Sequence, residues 1–137
     1  MTGPPDNGRL VETITLASDR DVAQARKAVS RAMDDLKARP VRKTRFVTAV
    51  SEIARNAVKH GGGGRLRIYA HQPADRISVL CEDHGPGIAD IGQALVDGYT
   101  TGGGMGRGLG GARRLVDTFD IESRPGRGTT VRMTGTI

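Results

Sequence analysis

A run of glycines between residues 98 and 111 constrains this chain more than any other feature of its sequence. Eight glycines fall in that run, a density that weakens helices and strands because glycine loses the most backbone freedom on folding. The run stops where an apolar helical pattern begins at Leu109, which argues against a disordered linker. Glycines let consecutive N–H groups turn toward one anion, and a following helix adds partial positive charge. The segment therefore predicts an anion-binding loop.

Two common phosphate-binding motifs do not explain this loop. Gly106, Gly108 and Gly111 spell GxGxxG, but no strand pattern leads directly into it, as a dinucleotide-binding fold requires. The GxxxxGK[ST] pattern of a P-loop does not occur in the sequence.

Strand and helix patterns alternate along the rest of the chain. Apolar spacing predicts strands at 10–16, 65–71, 76–81, 121–124 and 129–136, and helices at 21–37, 42–60 and 109–118. Strands 65–71 and 76–81 read as a hairpin around residues 72–75. This order predicts an α/β fold, a two-layer α/β sandwich with helices on one face of a mixed sheet. We expect a flexible N-terminal segment at 1–8 and one domain at 9–137.

Composition narrows the function classes. The net charge of +6 invites a nucleic-acid interpretation, but aromatic residues make up 3% and tryptophan is absent, which disfavours base stacking. A solvated basic surface that favours acidic partners or phosphates is the better hypothesis, so no nucleic acid is expected. No apolar run is long enough for a membrane span and no signal peptide is evident, which predicts a cytoplasmic protein. The single cysteine, Cys81, is expected to be a buried thiol.

The predicted second helix carries a polar face opposite its apolar stripe. Glu52 and Asn56 are four residues apart, and Lys59 falls on the same side. An acid, an amide and an amine thus line a surface that the core does not need. A solvated helix face remains an alternative interpretation.

The stretch CEDHGPGI, residues 81–88, places a carboxylate at the end of an apolar strand. Asp83 could bond its own backbone in a tight turn. It could instead accept a hydrogen bond from an exocyclic amine, while Gly85 and Gly87 let a flat ring approach the backbone.

Four motifs together resemble the nucleotide-binding boxes of the GHKL ATPase and kinase superfamily, the Bergerat fold. SEIARNAVKH is similar to its first box, EDHGPGI to its second, GGGMGRGLGG to its third, and PGRGTT to its final element. They occur in the family's order, and the resemblance covers residues 11–133.

The resemblance implies roles for the polar helix face and for the strand end. Asn56 would ligate Mg²⁺, and Glu52 would act as general base or orient the nucleophile. Lys59 is a plausible phosphate contact. Asp83 would take the adenine amine of ATP with support from Thr129, and Gly85 and Gly87 would approach the base. The lid and phosphate cradle would comprise Gly104, Gly106, Gly108, Leu109 and Gly110.

The stretch 97–129 is most similar to RsbT-type switch serine kinases of stress-response partner-switching modules. That resemblance implies a kinase that phosphorylates a STAS-domain antagonist and then binds a PP2C-type phosphatase. The chain departs from the family's pattern at two places: Cys81 replaces the usual small residue before the acid pair, and MGRGLGG carries an Arg and a Gly where relatives vary. Two alternatives stay open: an anti-sigma factor with kinase activity that sequesters a sigma factor, and a nucleotide-gated binding module without phosphoryl transfer.

Overall fold

Alternating apolar residues form the strands, and residues at helical spacing form the helices between them. The computed structural model describes residues 8–71, 76–96 and 108–137. The strands are β1 (Gly8–Leu16), β2 (Gly64–His71), β3 (Arg76–Asp83), β4 (Thr118–Ser123) and β5 (Thr129–Thr136). The helices are α1 (Asp19–Asp35), α2 (Pro40–Lys59), α3 (Ile91–Ala94) and α4 (Gly108–Arg114). Residue 8 lies in β1, although the sequence assigned it to a flexible segment, and the predicted turn at 72–75 lies outside the described residues.

The strands form one five-stranded sheet in the order β1-β2-β3-β5-β4. The predicted α/β sandwich is confirmed, but the prediction of a mixed sheet is wrong because every described pairing is antiparallel. The crossover through α3 and α4 does bring β4 back parallel to β3. The closing strand β5 then inserts between these two strands, so they never pair.

Local hydrogen bonds set the helix boundaries. The Ser18 N–H donates to the Asp21 carboxylate at 3.1 Å, which confirms the predicted start signal of α1. Pro40 opens α2 two residues earlier than predicted, since proline fits the first helical position. Helix α4 ends at Arg114 instead of residue 118, and the Asp117 N–H then donates to the Thr134 carbonyl at 2.9 Å. That bond ties the chain to β5 and lets β4 begin at residue 118.

The short helix α3 was not predicted. The sequence between Asp83 and Leu109 was interpreted as one glycine-rich connection, yet the Asp90 carboxylate accepts the Gln93 N–H at 3.0 Å and caps a helical turn. A single turn is too short for its apolar spacing to stand out.

The core lies between the helices and one face of the sheet. Inward residues of the central strands pack against α1, α2 and α4: Leu66, Ile68, Ile77, Val79, Val131 and Met133. Cys81 belongs to this core, and burial raises the pKa of its thiol to about 12. The prediction of a buried thiol is confirmed. Among the described helices, none combines the length and apolar character that a bilayer crossing requires.

Candidate functional site

Asp83 ends β3 as a buried carboxylate with one oxygen already occupied. Its position at the end of the central strand is fixed by the register that pairs Asp83 with Gly64 on one side and Thr129 on the other. Oδ1 accepts the Gly85 N–H at 3.0 Å and the Thr129 N–H at 3.2 Å. Among the described residues, no hydrogen bond ends on Oδ2. The local turn expected as the alternative therefore exists, and it uses one oxygen while leaving the other for a ligand.

The electrostatics of Asp83 reflect two opposing influences. Burial is the larger one and raises the pKa of this carboxyl above its ordinary value. The N–H groups of Gly85 and Thr129, and then the charge of His84, oppose that rise. A partly desolvated carboxylate with an open oxygen is a strong acceptor for an N–H donor.

Three glycines make close contact with Asp83 and its neighbours. A Cβ on Gly61 would lie 2.3 Å from the Asp83 Cγ, and one on Gly85 would lie 2.5 Å from the Gly61 Cα. Gly128, at φ +79, faces the Asp83 carbonyl, and a Cβ there would be 2.1 Å from that oxygen. The sequence predicted Gly85 as a site residue but assigned Gly61 only to the end of a helix. The sequence feature that could have indicated a further role for Gly61 is the run Gly61–Gly64, because a helix end needs only one glycine.

Ser123 at the end of β4 connects the two loops beside Asp83. Its hydroxyl donates to the Gly128 carbonyl at 3.0 Å and accepts the Ile88 N–H at 2.7 Å. The Thr129 hydroxyl lies 2.8 Å away and must donate, since the only Ser123 proton is already used. The Thr129 oxygen is therefore an acceptor toward anything else that approaches it. Sequence reasoning missed Ser123.

The polar face of α2 forms the second part of the site. Glu52 and Asn56 lie on successive turns of one continuous helix, and Lys59 is exposed in its last turn. Arg55 holds the Glu52 Oε2 at 3.2 Å, and the Glu52 side chain is only 14% exposed. The half-buried Asn56 amide has no hydrogen-bond partner among the described residues.

The end of α2 connects this face to Asp83. The Asn56 carbonyl accepts the Gly61 N–H at 3.3 Å, and Gly61 contacts the Asp83 side chain. The Asn56 turn and the Asp83 carboxylate therefore border the same region. Gly85 and Thr129 bond Asp83 directly, and the Asn56 backbone is linked to it through Gly61, while the predicted roles of these residues stay predictions.

The predicted lid residues are only partly described. Gly104 and Gly106 lie outside the described residues. Gly108 opens α4 at φ +67, a conformation that favours glycine. Leu109 is buried in the core, so only its backbone is available to a ligand. A Cβ on Gly110 would be 2.2 Å from the Leu95 carbonyl, which means that this glycine packs α4 against the end of α3.

Gly87 also has a role inside the protein. It adopts φ +80, and a Cβ there would lie 2.1 Å from the Arg124 carbonyl. The neighbouring Pro86 carbonyl accepts the Gly126 N–H at 2.7 Å. The loop after Asp83 is thereby fastened to the β4–β5 turn. Contact between Gly87 and an adenine ring stays a prediction.

The side-chain ligands available in the site suit magnesium better than a metal ion that is held by several protein ligands. Within the described residues, no cluster of three or more His, Cys, Asp or Glu side chains could hold a metal ion. The Asn56 amide oxygen is a hard ligand without a hydrogen-bond partner among the described residues. Magnesium commonly takes one or two protein oxygens and completes its shell with phosphate oxygens and water. Asn56 therefore fits an ion that arrives with a nucleotide.

We expect Ser123→Ala to weaken ATP binding roughly tenfold, as the loss of one to two hydrogen bonds of about 1 kcal/mol each would do. The change removes the group that joins Ile88, Gly128 and Thr129. Calorimetric titration with ATP would measure the change in Kd. Thr118→Ala is the matched control, because it removes a hydroxyl pair with Thr134 at the other end of β4. Equal losses in both variants would contradict a specific role for Ser123.

Comparison with known proteins places this geometry among nucleotide-binding domains. Residues 15–135 match the model of the histidine kinase-like ATPase domain family. The chain is 37% identical over 123 residues to the serine/threonine-protein kinase RsbT of Bacillus subtilis, covering 87% of this chain and 91% of that protein. It is also 37% identical over 93 residues to an anti-sigma F factor of a Thermoanaerobacter species, covering 64% of this chain and 65% of that protein.

A solved structure supports the same fold. The RsbU and RsbW domains of a Mycobacterium tuberculosis protein superpose with a TM-score of 0.65 at 20% identity, covering 96% of this chain and 32% of that chain. At that identity the likeness concerns the fold alone.

Proposed function

Because the chain belongs to the family of histidine kinase-like ATPase domains, we propose that it is a MgATP-dependent protein serine kinase that works as a partner-switching regulator. It phosphorylates a serine of a STAS-domain antagonist, leaves that protein, and then binds and activates a PP2C-type phosphatase. Residues 9–137 act as one ATP-binding kinase domain. The observation that supports this proposal is the junction at Gly61, through which the last turn of α2, the helix that carries Glu52 and Asn56, contacts Asp83.

The described residues divide the work of binding ATP. The Asp83 Oδ2 accepts the adenine amine, since Oδ1 is held by Gly85 and Thr129. The Thr129 hydroxyl, which donates to Ser123, offers its oxygen to the same amine or to a bridging water. Asn56 holds Mg²⁺, which neutralises charge on the phosphates. Lys59, three residues further along the helix, contacts a phosphate.

Glu52 acts on the hydroxyl of the substrate serine. The hydroxyl oxygen forms a bond to the γ-phosphorus while the bond from that phosphorus to the bridging oxygen of ADP breaks. The hydroxyl proton passes to the Glu52 carboxylate. Arg55 binds Oε2 of that carboxylate and fixes its orientation, so Oε1 is the oxygen that receives the proton. Positioned groups of this kind contribute much of the rate enhancement that enzymes achieve in phosphoryl transfer.

Transfer of label from γ-labelled MgATP to a purified STAS-domain protein tests the proposal. The wild-type chain should label a serine of that protein, and Asn56→Ala should not. Thr48→Ala is a matched control on the same helix, because the Thr48 hydroxyl only bonds the preceding turn at 2.8 Å. Measurable ATP binding without any transfer would overturn the kinase proposal in favour of a nucleotide-gated binding module.

A second candidate function is an anti-sigma factor that sequesters a sigma factor and uses kinase activity to reset the complex. The 37% identity to an anti-sigma F factor favours it. Gel filtration of the chain with a sigma factor separates the candidates. A stable complex in the presence of nucleotide would support this second function, and separate elution would count against it.

The raised pKa of Asp83 predicts opposite effects of Asp83→Asn on binding and on stability. The folded-state pKa lies above the unfolded one, so the folded protein binds more protons between the two values. Stability from this group is therefore present at low pH and lost as pH rises through the folded pKa. At pH 7 we expect Asp83→Asn to bind ATP more weakly but to unfold at an equal or higher denaturant concentration than the wild type. Denaturant titrations from pH 4 to 7 would measure the free energy of unfolding.

The stability difference between Asp83→Asn and the wild type should shrink as pH falls toward the region where Asp83 is protonated. Glu12→Gln is the control, since Glu12 is an exposed partner of Arg31 at 3.6 Å. A difference that grows toward low pH would contradict the assigned sign.

A further inference from the structure

A recess with an arginine rim lies at the opposite end of α2 from the proposed kinase site. It has a volume of about 480 Å³ and is bounded by the start of α2, the turn after α4 and the end of β5. We call it the arginine recess. Its basic lining consists of Arg39, Arg42 and Arg45, and its apolar lining of Val41, Phe46, Leu115 and Val116. The helix rises about 10 Å from Arg45, the nearest of these arginines, to Glu52, and about 20 Å from Arg42 to Asn56.

The positive charge of the arginine recess is not neutralised within the described parts of the chain. Neither Arg39 nor Arg42 takes part in an ion pair there. Arg45 uses one N–H to bind the Arg114 carbonyl at 3.1 Å. The one acid in the lining, Asp117, accepts the N–H and the hydroxyl of Thr136 on Oδ2 and forms no ion pair with the three arginines. The recess therefore presents three guanidinium groups beside a single carboxylate, an excess of positive charge.

The position of these arginines works against the local stability of α2. Arg39 is the N-cap residue, Arg42 follows in the first turn, and that turn contains no acidic residue. The positive end of the helix dipole favours acids there and disfavours cations, by about 0.3–1 kcal/mol per charge. When a sequence goes against such a local preference and no other contact offsets the cost in stability, the position is commonly part of a functional site.

We propose that the arginine recess binds an acidic segment of a partner protein. Carboxylates of that segment pair with Arg39, Arg42 and Arg45, because guanidinium groups bind carboxylates through paired hydrogen bonds. An apolar side chain of the segment packs against Val41, which is 71% exposed, and the adjoining apolar lining. This inference goes beyond the kinase proposal, since it assigns a docking surface that ATP does not touch.

A protein segment fits the recess better than a nucleic acid does. Four apolar side chains line the recess beside its three arginines, while phosphate backbones are bound by basic and polar groups. The aromatic ring in the lining, Phe46, is only 2% exposed and so offers no face for base stacking. Arginine beside an apolar anchor is instead typical of protein interfaces.

Charge reversal by Arg39→Glu with Arg42→Glu separates binding from folding. Glutamates in the first turn complement the helix dipole, so the double variant should unfold at the same temperature as the wild type or higher. The matched control is Arg26→Glu with Lys27→Glu, which makes the same change in charge at exposed positions of α1.

The probe is a fluorescein-labelled 14-residue peptide with four glutamates flanking two leucines, titrated with the full chain and followed by anisotropy. We expect the Arg39/Arg42 variant to bind it about tenfold more weakly or worse, because it loses the arginines that pair with the glutamates. The Arg26/Lys27 variant should bind it within about twofold of the wild type, because its changed charges lie outside the recess. A peptide with glutamine for glutamate, and one with serine for leucine, should each bind more weakly than the probe.

Three results would overturn the proposal. The first is that the wild type binds the glutamine peptide as tightly as the acidic one, and the second is that both charge variants lose the same affinity for the acidic peptide. The third is that a 14-nucleotide single-stranded DNA binds more tightly than the peptide and depends on the same arginines. ATP binding, measured on the same samples, should not change in the Arg39/Arg42 variant. Failure of the docking proposal and failure of the kinase proposal are therefore distinguishable.

Discussion

Replacing Glu52 with glutamine should lower the rate of phosphoryl transfer by about 10²–10⁴-fold, the range typical of losing a positioned general base. Glutamine keeps the shape of the side chain and can still accept a hydrogen bond from Arg55, which holds the carboxylate at 3.2 Å. It cannot take a proton from the substrate serine. The Kd for ATP should change by less than about threefold, since Glu52 is assigned to the nucleophile and not to the nucleotide.

Single-turnover transfer of γ-labelled phosphate, with ATP affinity measured by calorimetry, checks this expectation. Glu52→Ala should show the same loss of transfer. Glu12→Gln provides the control, because it removes a carboxylate from an exposed ion pair far along the chain. Transfer at the wild-type rate in Glu52→Gln would show that another group receives the proton.

The features that could be predicted from the sequence are those with local signals. The two faces of α2 follow from helical spacing, so Glu52 and Asn56 were placed together without knowledge of the fold. The position of Asp83 at a strand end follows from the apolar run before it and the glycines after it. These signals lie within a few residues of the groups they position.

The features that could not be predicted depend on pairing between distant segments. Ser123 reaches Ile88, 35 residues away, because β4 lies outside β5 in the sheet. Gly61 faces Asp83 because the chain leaving α2 passes over the end of β3. The insertion of β5 between β3 and β4 likewise replaces the mixed pairing that the element order suggested. Register and strand order are tertiary properties, and no local pattern encodes them.

The glycines around Asp83 lead to the second large expected effect. Gly85→Ala should weaken ATP binding by about 100-fold or more, which corresponds to about 2.7 kcal/mol. The added Cβ would lie 2.5 Å from the Gly61 Cα and 2.6 Å from its carbonyl oxygen, both backbone atoms that no rotamer change can move. The loop must shift, and the Gly85 N–H then leaves the Asp83 Oδ1 that it holds at 3.0 Å. Calorimetric titration with MgATP, alongside circular dichroism for folding, gives the measurement.

Two further variants make this test specific to the contact. Gly61→Ala places a Cβ 2.3 Å from the Asp83 Cγ, so it should disturb the same carboxylate from the other side and weaken ATP binding as well. Gly92→Ala meets only the Asp90 Oδ1 at 3.4 Å in α3 and should bind ATP as the wild type does. If the contact between Gly61, Gly85 and Asp83 aligns the open Oδ2, both Gly61→Ala and Gly85→Ala must bind ATP more weakly than Gly92→Ala does. A folded Gly85→Ala protein that binds ATP within about twofold of the wild type would rule out that alignment.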